Sequence, residues 1–333
     1  MCDRLVGPDL TDVTQTLDAP AHTPATDRAN WCEVGGKIHA INDTSTGFHM
    51  HPLISASELR RRLQEGPAPM VLDARFNLGD PEAGARAFAA GHIEGARYVH
   101  LNRDLSAPLT GTNGRHPLPT REAFQATLDR LGLREDTPVV VCDDQGGMFA
   151  ARLWWMLRWM GHAQVQVLDG GWAAWQALSP GADAPPAITE PPASAAPAHA
   201  PQPRSFTPLS VDQVLADLGQ PHQQLLDARG ADRFRGDNET LDPVGGHIPG
   251  ALNRPFTHNL QADGHFLPAD ALRQGFTSVL SGTPPERVVH QCGSGVTACH
   301  NLLAMEVAGL HGSRLYPGSW SEWCADPSRP ITR

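Results

Sequence analysis

The chain predicts an α/β fold built as two tandem domains, each a mostly parallel sheet flanked by helices, and three features predict it. Landmarks repeat: VLDAR at 71–75 returns as LLDAR at 225–229, and GHIEGA at 91–96 returns as GHIPGA at 246–251, the mark of an internal duplication. Short Val/Leu runs alternate with stretches of helical spacing. A Pro/Ala-rich segment, SPGADAPPAITEPPASAAPAHAPQPRS at 179–205, separates the two copies and reads as an extended linker.

Residues 1–49 are polar and without periodicity, so a disordered extension is expected there. The first domain is expected over 50–178. HPLISASELRRRL opens it as a turn followed by a helix, and Arg60 to Arg62 reads as the solvated face of that helix. Val71-Leu72 and Val139 to Val141 are too apolar for half-exposed strands and predict buried parallel ones. Phe149 to Met160 places Leu153, Trp154, Leu157 and Met160 at helical spacing. The second domain, 206–333, answers these elements. VVHQCGSGVTACHNLL at 288–303 matches VVVCDDQGGMFAARLWW at 139–155, and LYPGSWSEW at 315–323 matches LDGGWAAW at 168–175. Trp172, Trp175, Trp320 and Trp323 recur at matched places and read as wall and core aromatics.

Composition narrows the function. A formal charge of −10 argues against nucleic acid as a partner. No apolar run approaches the roughly 18 residues of a membrane span, and the N-terminus lacks a basic region followed by an apolar core. A cytoplasmic protein without a membrane partner is expected. Six scattered cysteines lack the density of a disulfide framework, so free thiols are expected. Cys299 and His300 lack the spacing of zinc pairs, and neither a Walker loop nor a dinucleotide fingerprint occurs, so no metal or organic cofactor is expected.

The sharpest chemical feature is a strand, then Cys292-Gly293-Ser294-Gly295-Val296-Thr297, then a helix. Glycines let such a loop curl until successive N–H groups converge, and the helix N-terminus adds its positive end. An anion is stabilised at the centre of that cradle. At Cys292 it would be the thiolate, the nucleophilic form of the side chain. At the same place the first half offers Asp143 or Asp144, and Cys142 reads as core.

CGSGVTA resembles the active loop of the 3-mercaptopyruvate sulfurtransferases of the rhodanese superfamily, and GHIPGA, LLDAR, WWMLRWMGH and LYPGSWSEW resemble other landmarks of that family. The resemblance implies a first domain that is catalytically silent and a second that carries sulfur on Cys292. It implies that the thiolate takes sulfur from a small-molecule donor and passes it from a persulfide to a thiol acceptor such as thioredoxin or glutathione, or to cyanide. It implies further that Ser294 assists the donor thiol through a relay histidine and carboxylate, with His92 of GHIEGA matching the histidine and Asp80 standing for the carboxylate. Gly293, Gly295, Val296 and Thr297 would complete the donor site, and Arg233 of DRFRG matches the first of two family arginines for the donor carboxylate. His247 reads as a turn histidine. The place of the second arginine is taken by Asp242, which would weaken mercaptopyruvate binding. The neutral loop favours 3-mercaptopyruvate as donor, with thiosulfate as the alternative. A non-catalytic rhodanese-like binding protein is a third reading. A cysteine phosphatase is disfavoured because Ala298 stands where its loop arginine would be.

Overall fold

The computed structural model describes residues 50–178 and 206–333, together with the backbone of one strand pair nearer the N-terminus. That pair, β1 (Trp31–Val34) and β2 (Lys37–Ala40), is antiparallel. The remainder of the extension expected over 1–49, and the linker expected over 179–205, lie outside the described residues.

The first half runs β3 (Leu53–Ile54), α1 (Ala56–Glu65), β4 (Met70–Asp73), α2 (Ala83–Ala90), β5 (Arg97–Tyr98), α3 (Leu101–Asp104), α4 (Arg121–Arg130), β6 (Val139–Cys142), α5 (Ala150–Met160), β7 (Val165–Leu168) and α6 (Gly171–Ala177). Its five strands are parallel, in the order β3-β7-β6-β4-β5. Parallel pairing demands a crossover at each step, and the intervening segments, mostly helical, supply it. Local signals set the helix starts: Ser55 accepts the Glu58 N–H at the head of α1, and Thr120 accepts the Ala123 N–H at the head of α4. Arg61 and Arg62 pair with Glu58 on the outer side of α1.

The second half repeats the plan in reduced form: α7 (Val211–Ala216), β8 (Gln224–Asp227), α8 (Ala231–Arg235), β9 (Leu252–Asn253), α9 (Ala269–Leu280), β10 (Val288–Gln291), α10 (Thr297–Val307), β11 (Arg314–Leu315) and α11 (Ser319–Trp323). Its sheet has the order β11-β10-β8-β9, and a single parallel bridge between Pro208 and Leu315 stands where β3 lies in the first half.

The repeated motifs do the same structural work twice. In VLDAR the buried Arg75 pairs with Asp73, donates to the Gly91 carbonyl and lies over the Trp172 ring; in LLDAR Arg229 pairs with Asp227, donates to Gly246 and lies over Trp320. One guanidinium thus ties a strand end, a turn and an aromatic wall together.

Helices α5 and α10 pack against each other, and their apolar side chains belong to one core cluster drawn from both halves. This explains why each is buried nearly all round rather than along one stripe: its own sheet covers one side and the other half covers the opposite side.

Candidate active site

In both halves the register pairs the last residue of the central strand with the aspartate of the repeated motif, Cys142 with Asp73 and Gln291 with Asp227. The next residue leaves the strand into a tight loop. In the first half it is Asp143 and in the second Cys292.

The two loops curl back on that residue to different extents. Asp143 accepts backbone N–H groups from Gln145, Gly147, Phe149 and Ala150 at 2.7–2.9 Å. In the second half Cys292 Sγ accepts the Gly295 N–H at 3.1 Å. Gly295 sits at φ +78°, and a Cβ there would stand 2.1 Å from the Pro317 carbonyl oxygen, so only glycine lets the loop curl back on the sulfur. The Cys292 main chain is anchored as well: its N–H donates to Ser319 Oγ at 3.1 Å, and its carbonyl accepts the Trp320 N–H at 3.0 Å. Cys292 is itself 2% exposed. Cys142 lies in the core one residue before Asp143, and burial pushes its thiol pKa well up. Cys299, one turn into α10, donates to the Gly295 carbonyl, and burial raises its pKa to about 12. Of these three thiols Cys292 alone lines the cleft.

That cleft has a volume of about 200 Å³ and lies between the halves. Leu78, Met148 and Phe149 line it from the first half; Cys292, Val296 and Phe256 line it from the second. Gly293, Ser294, Thr297 and Arg233 also face it, so the expected donor-site residues other than Gly295 converge, as does one unexpected residue, Arg115.

The expected relay is not assembled. His92 stacks on Phe88 with ring centroids 4.0 Å apart and bonds the Phe88 carbonyl through Nδ1 at 2.8 Å. His247 does the same with Phe234, at 3.8 Å and 2.9 Å. Both histidines belong to the repeated turn, each bonded to the carbonyl of the residue on whose ring it stacks. Asp80 is solvent-exposed and paired with Arg86 at 2.5 Å. Neither lines the cleft.

The histidine that meets Ser294 is His116, whose Nδ1 lies 2.7 Å from Ser294 Oγ. Burial, reinforced by the Arg115 and Arg152 guanidiniums, holds its pKa down at about 3. The ring is therefore neutral near pH 7 and a weak base; its Nδ1 shares one hydrogen bond with the Ser294 hydroxyl and fixes the direction of that hydroxyl. Arg152, fully buried on α5, locks this contact by donating to the carbonyls of His116, Leu105 and Gly295.

Around Asp242 the structure places two arginines that its position in the sequence does not show. Asp242 is 2% exposed and paired with Arg115, with Nε to Oδ1 at 2.9 Å and Nη2 to Oδ2 at 3.2 Å. Its carboxylate is a buried counter-ion for arginines rather than an anion facing the donor. Arg233 is held by Glu239 at 2.8 Å and reaches Asp242 at 3.4 Å.

A family model described as "Rhodanese-like domain" matches residues 55–178 and 210–326. A Pseudomonas aeruginosa protein named "Probable 3-mercaptopyruvate sulfurtransferase" is 49% identical over 282 residues, 84% of this chain and 97% of that one. The thiosulfate sulfurtransferase of Gallus gallus is 33% identical over 289 residues, 84% and 96% of the two chains. Among solved structures, the 3-mercaptopyruvate sulfurtransferase of Leishmania major matches with a TM-score of 0.70 at 30% identity, over 81% of this chain and 73% of that one. The 3-mercaptopyruvate sulfotransferase SseA of Escherichia coli matches with a TM-score of 0.69 at 31% identity, over 82% and 100%. The chain belongs to the rhodanese family, with two rhodanese-like domains in tandem.

Proposed function

We propose that the protein is a sulfurtransferase that moves sulfane sulfur from 3-mercaptopyruvate through a Cys292 persulfide to a thiol, such as thioredoxin or glutathione, or to cyanide. The observation that carries the reading is the Gly295 N–H aimed at Cys292 Sγ on the floor of an arginine-rimmed cleft. The names of the relatives support the reaction class.

In the first half-reaction the Cys292 thiolate attacks the donor sulfur. The carbon–sulfur bond breaks, its electron pair leaves as the pyruvate enolate, and the proton that was on the donor sulfur ends on that carbon, giving pyruvate. In the second, the acceptor attacks the outer sulfur and the sulfur–sulfur bond breaks, so cyanide becomes thiocyanate and the Cys292 thiolate returns. Ser294 Oγ, fixed by His116, stands beside the donor thiol and passes its proton toward that carbon; His116 is a positioning residue. Arg233 binds the donor carboxylate, and Gly293, Gly295, Val296 and Thr297 shape the pocket around the sulfur. His92 and Asp80 have no place in this scheme. A cytoplasmic setting, where reduced thiol acceptors are abundant, fits the unpaired Cys142, Cys292, Cys299 and Cys324.

The test compares initial rates with 3-mercaptopyruvate and with thiosulfate, each with cyanide as acceptor and thiocyanate as readout, with Cys292→Ser as control. Preference for 3-mercaptopyruvate and a silent Cys292→Ser are expected. Preference for thiosulfate would overturn the donor assignment, and turnover by Cys292→Ser would overturn the mechanism.

A further inference from the structure

We propose that Arg115, carried by the first half, is the second guanidinium of the donor-carboxylate clamp and sets selectivity for a mercapto-acid. This rests on the sulfurtransferase reading above and names the residue that completes its substrate site.

The loop Gly114-Arg115-His116 docks on the second half at each position. A Cβ on Gly114 would meet the Gly318 carbonyl and Ser321 Oγ, both at 3.0 Å, so glycine permits the close approach. The Arg115 N–H donates to Ser321 Oγ at 3.0 Å, and His116 meets Ser294. The Arg115 backbone is therefore fixed to the half that carries Cys292.

Its side chain is aimed by Asp242. That carboxylate takes Nε and Nη2, leaving Nη1 without a hydrogen-bond partner among the described residues. Arg233 is held alike, with Nε and Nη2 on Glu239 and Nη1 left over. The carboxylates are 2–3% exposed, whereas the arginine side chains are 27% and 21% exposed. The anions thus lie behind and the cations in front. Both guanidiniums converge beside Gly293: a Cβ there would lie 2.7 Å from Arg115 Nη2 and 3.5 Å from Arg233 Nη1. A carboxylate entering this notch meets two cationic donor edges one residue from the nucleophile. Planar guanidiniums suit that recognition. In 3-mercaptopyruvate the carboxylate and the sulfur are separated by two carbons, so a clamp beside Gly293 presents the sulfur to Cys292. Glycine at 293, bare of a side chain, leaves the space into which Arg115 Nη2 reaches.

The test measures kcat/KM for 3-mercaptopyruvate and for 1-mercaptopropan-2-one, which keeps the thiol and ketone but has no carboxylate. Wild type and Arg115→Met are compared, with thermal melting as a fold control. The ratio of the two kcat/KM values should fall at least tenfold in Arg115→Met, chiefly through KM for the acid. A structural role alone would lower both donors equally, and a ratio that stays at the wild-type value overturns the proposal. A second variant, Arg115→Met with Asp242→Asn, strands no buried carboxylate and must show the same fall. If wild type itself fails with 3-mercaptopyruvate, the donor assignment fails, a result distinct from an unchanged ratio in an active enzyme.

Discussion

Ser319 occupies the place of Gly171 in the internal repeat, and both residues sit at φ +56°. A non-glycine residue there costs of order 1–3 kcal/mol. Serine is retained in the second half because its Oγ accepts the Cys292 N–H and donates to the Tyr316 carbonyl. The first half carries glycine, and its Asp143 needs no such anchor because the loop N–H groups hold its carboxylate. Ser319→Gly should relieve of order 1–3 kcal/mol of strain while losing two hydrogen bonds of about 1 kcal/mol each. Stability should stay near wild type while persulfide formation slows at least several-fold. Ser319→Ala keeps the strain and loses both bonds, so it should melt lower than Ser319→Gly. Equal melting temperatures for the two would refute the strain argument.

His116 and Ser294 should act as one unit. His116→Phe and Ser294→Ala should each lower kcat with 3-mercaptopyruvate, and the double variant should be little worse than either, because each single change already dissolves the pair. Fully additive losses would show that the contact is not functional. His92→Gln should behave like His247→Gln, melting at a lower temperature while the folded fraction keeps wild-type turnover, since each ring only braces its turn.

How much of this was legible in the sequence follows from distance along the chain. Cys292, its glycines and Ser294 form one continuous loop, so a local rule about anion cradles reaches them. His116 lies 178 positions from Ser294 in a loop with no motif of its own. Only the fold of one half upon the other brings them together. His92 enters only through its match to a family histidine, whereas its recurrence as His247 in the same turn of the other half is the sequence signal for a structural part. The available signal for Arg115 was Asp242: an acidic residue at an anion-binding place calls for a cation from elsewhere. The fold class was readable because buried strands and duplicated landmarks are local features. The nearly all-round burial of α5 and α10 was not, because it comes from packing between the halves.

Acid should destabilise the protein before its carboxylates titrate. Burial holds the pKa of His116 and His290 at about 3 and of His300 at about 4. The unfolded chain binds protons at these sites from pH 6.5 downward while the folded chain does not. Stability is therefore fully present above pH 6.5 and is lost as pH falls toward the folded values, by about 2 kcal/mol per histidine between pH 7 and 5. Urea unfolding across that range should show a steep decline, shallower by about one proton in His290→Gln. A flat profile would mean these rings protonate in place.

Asp143 tests whether the silent half keeps its cradle for stability. Four backbone N–H groups point at one buried carboxylate. Asn in its place offers one carbonyl oxygen and turns an NH2 group toward donors that need an acceptor. Hydrogen bonds to a charged group contribute about 1.5–3 kcal/mol each, and stranded N–H groups add their own desolvation cost. Asp143→Asn should therefore lose about 3 kcal/mol or more in urea unfolding, a large share of a typical domain's stability. Cys292 chemistry should suffer only indirectly, through the α5 helix that the loop launches and the Arg152 it carries. If Asp143→Asn instead leaves unfolding unchanged but removes turnover, the first half takes part in catalysis through this carboxylate and is not silent.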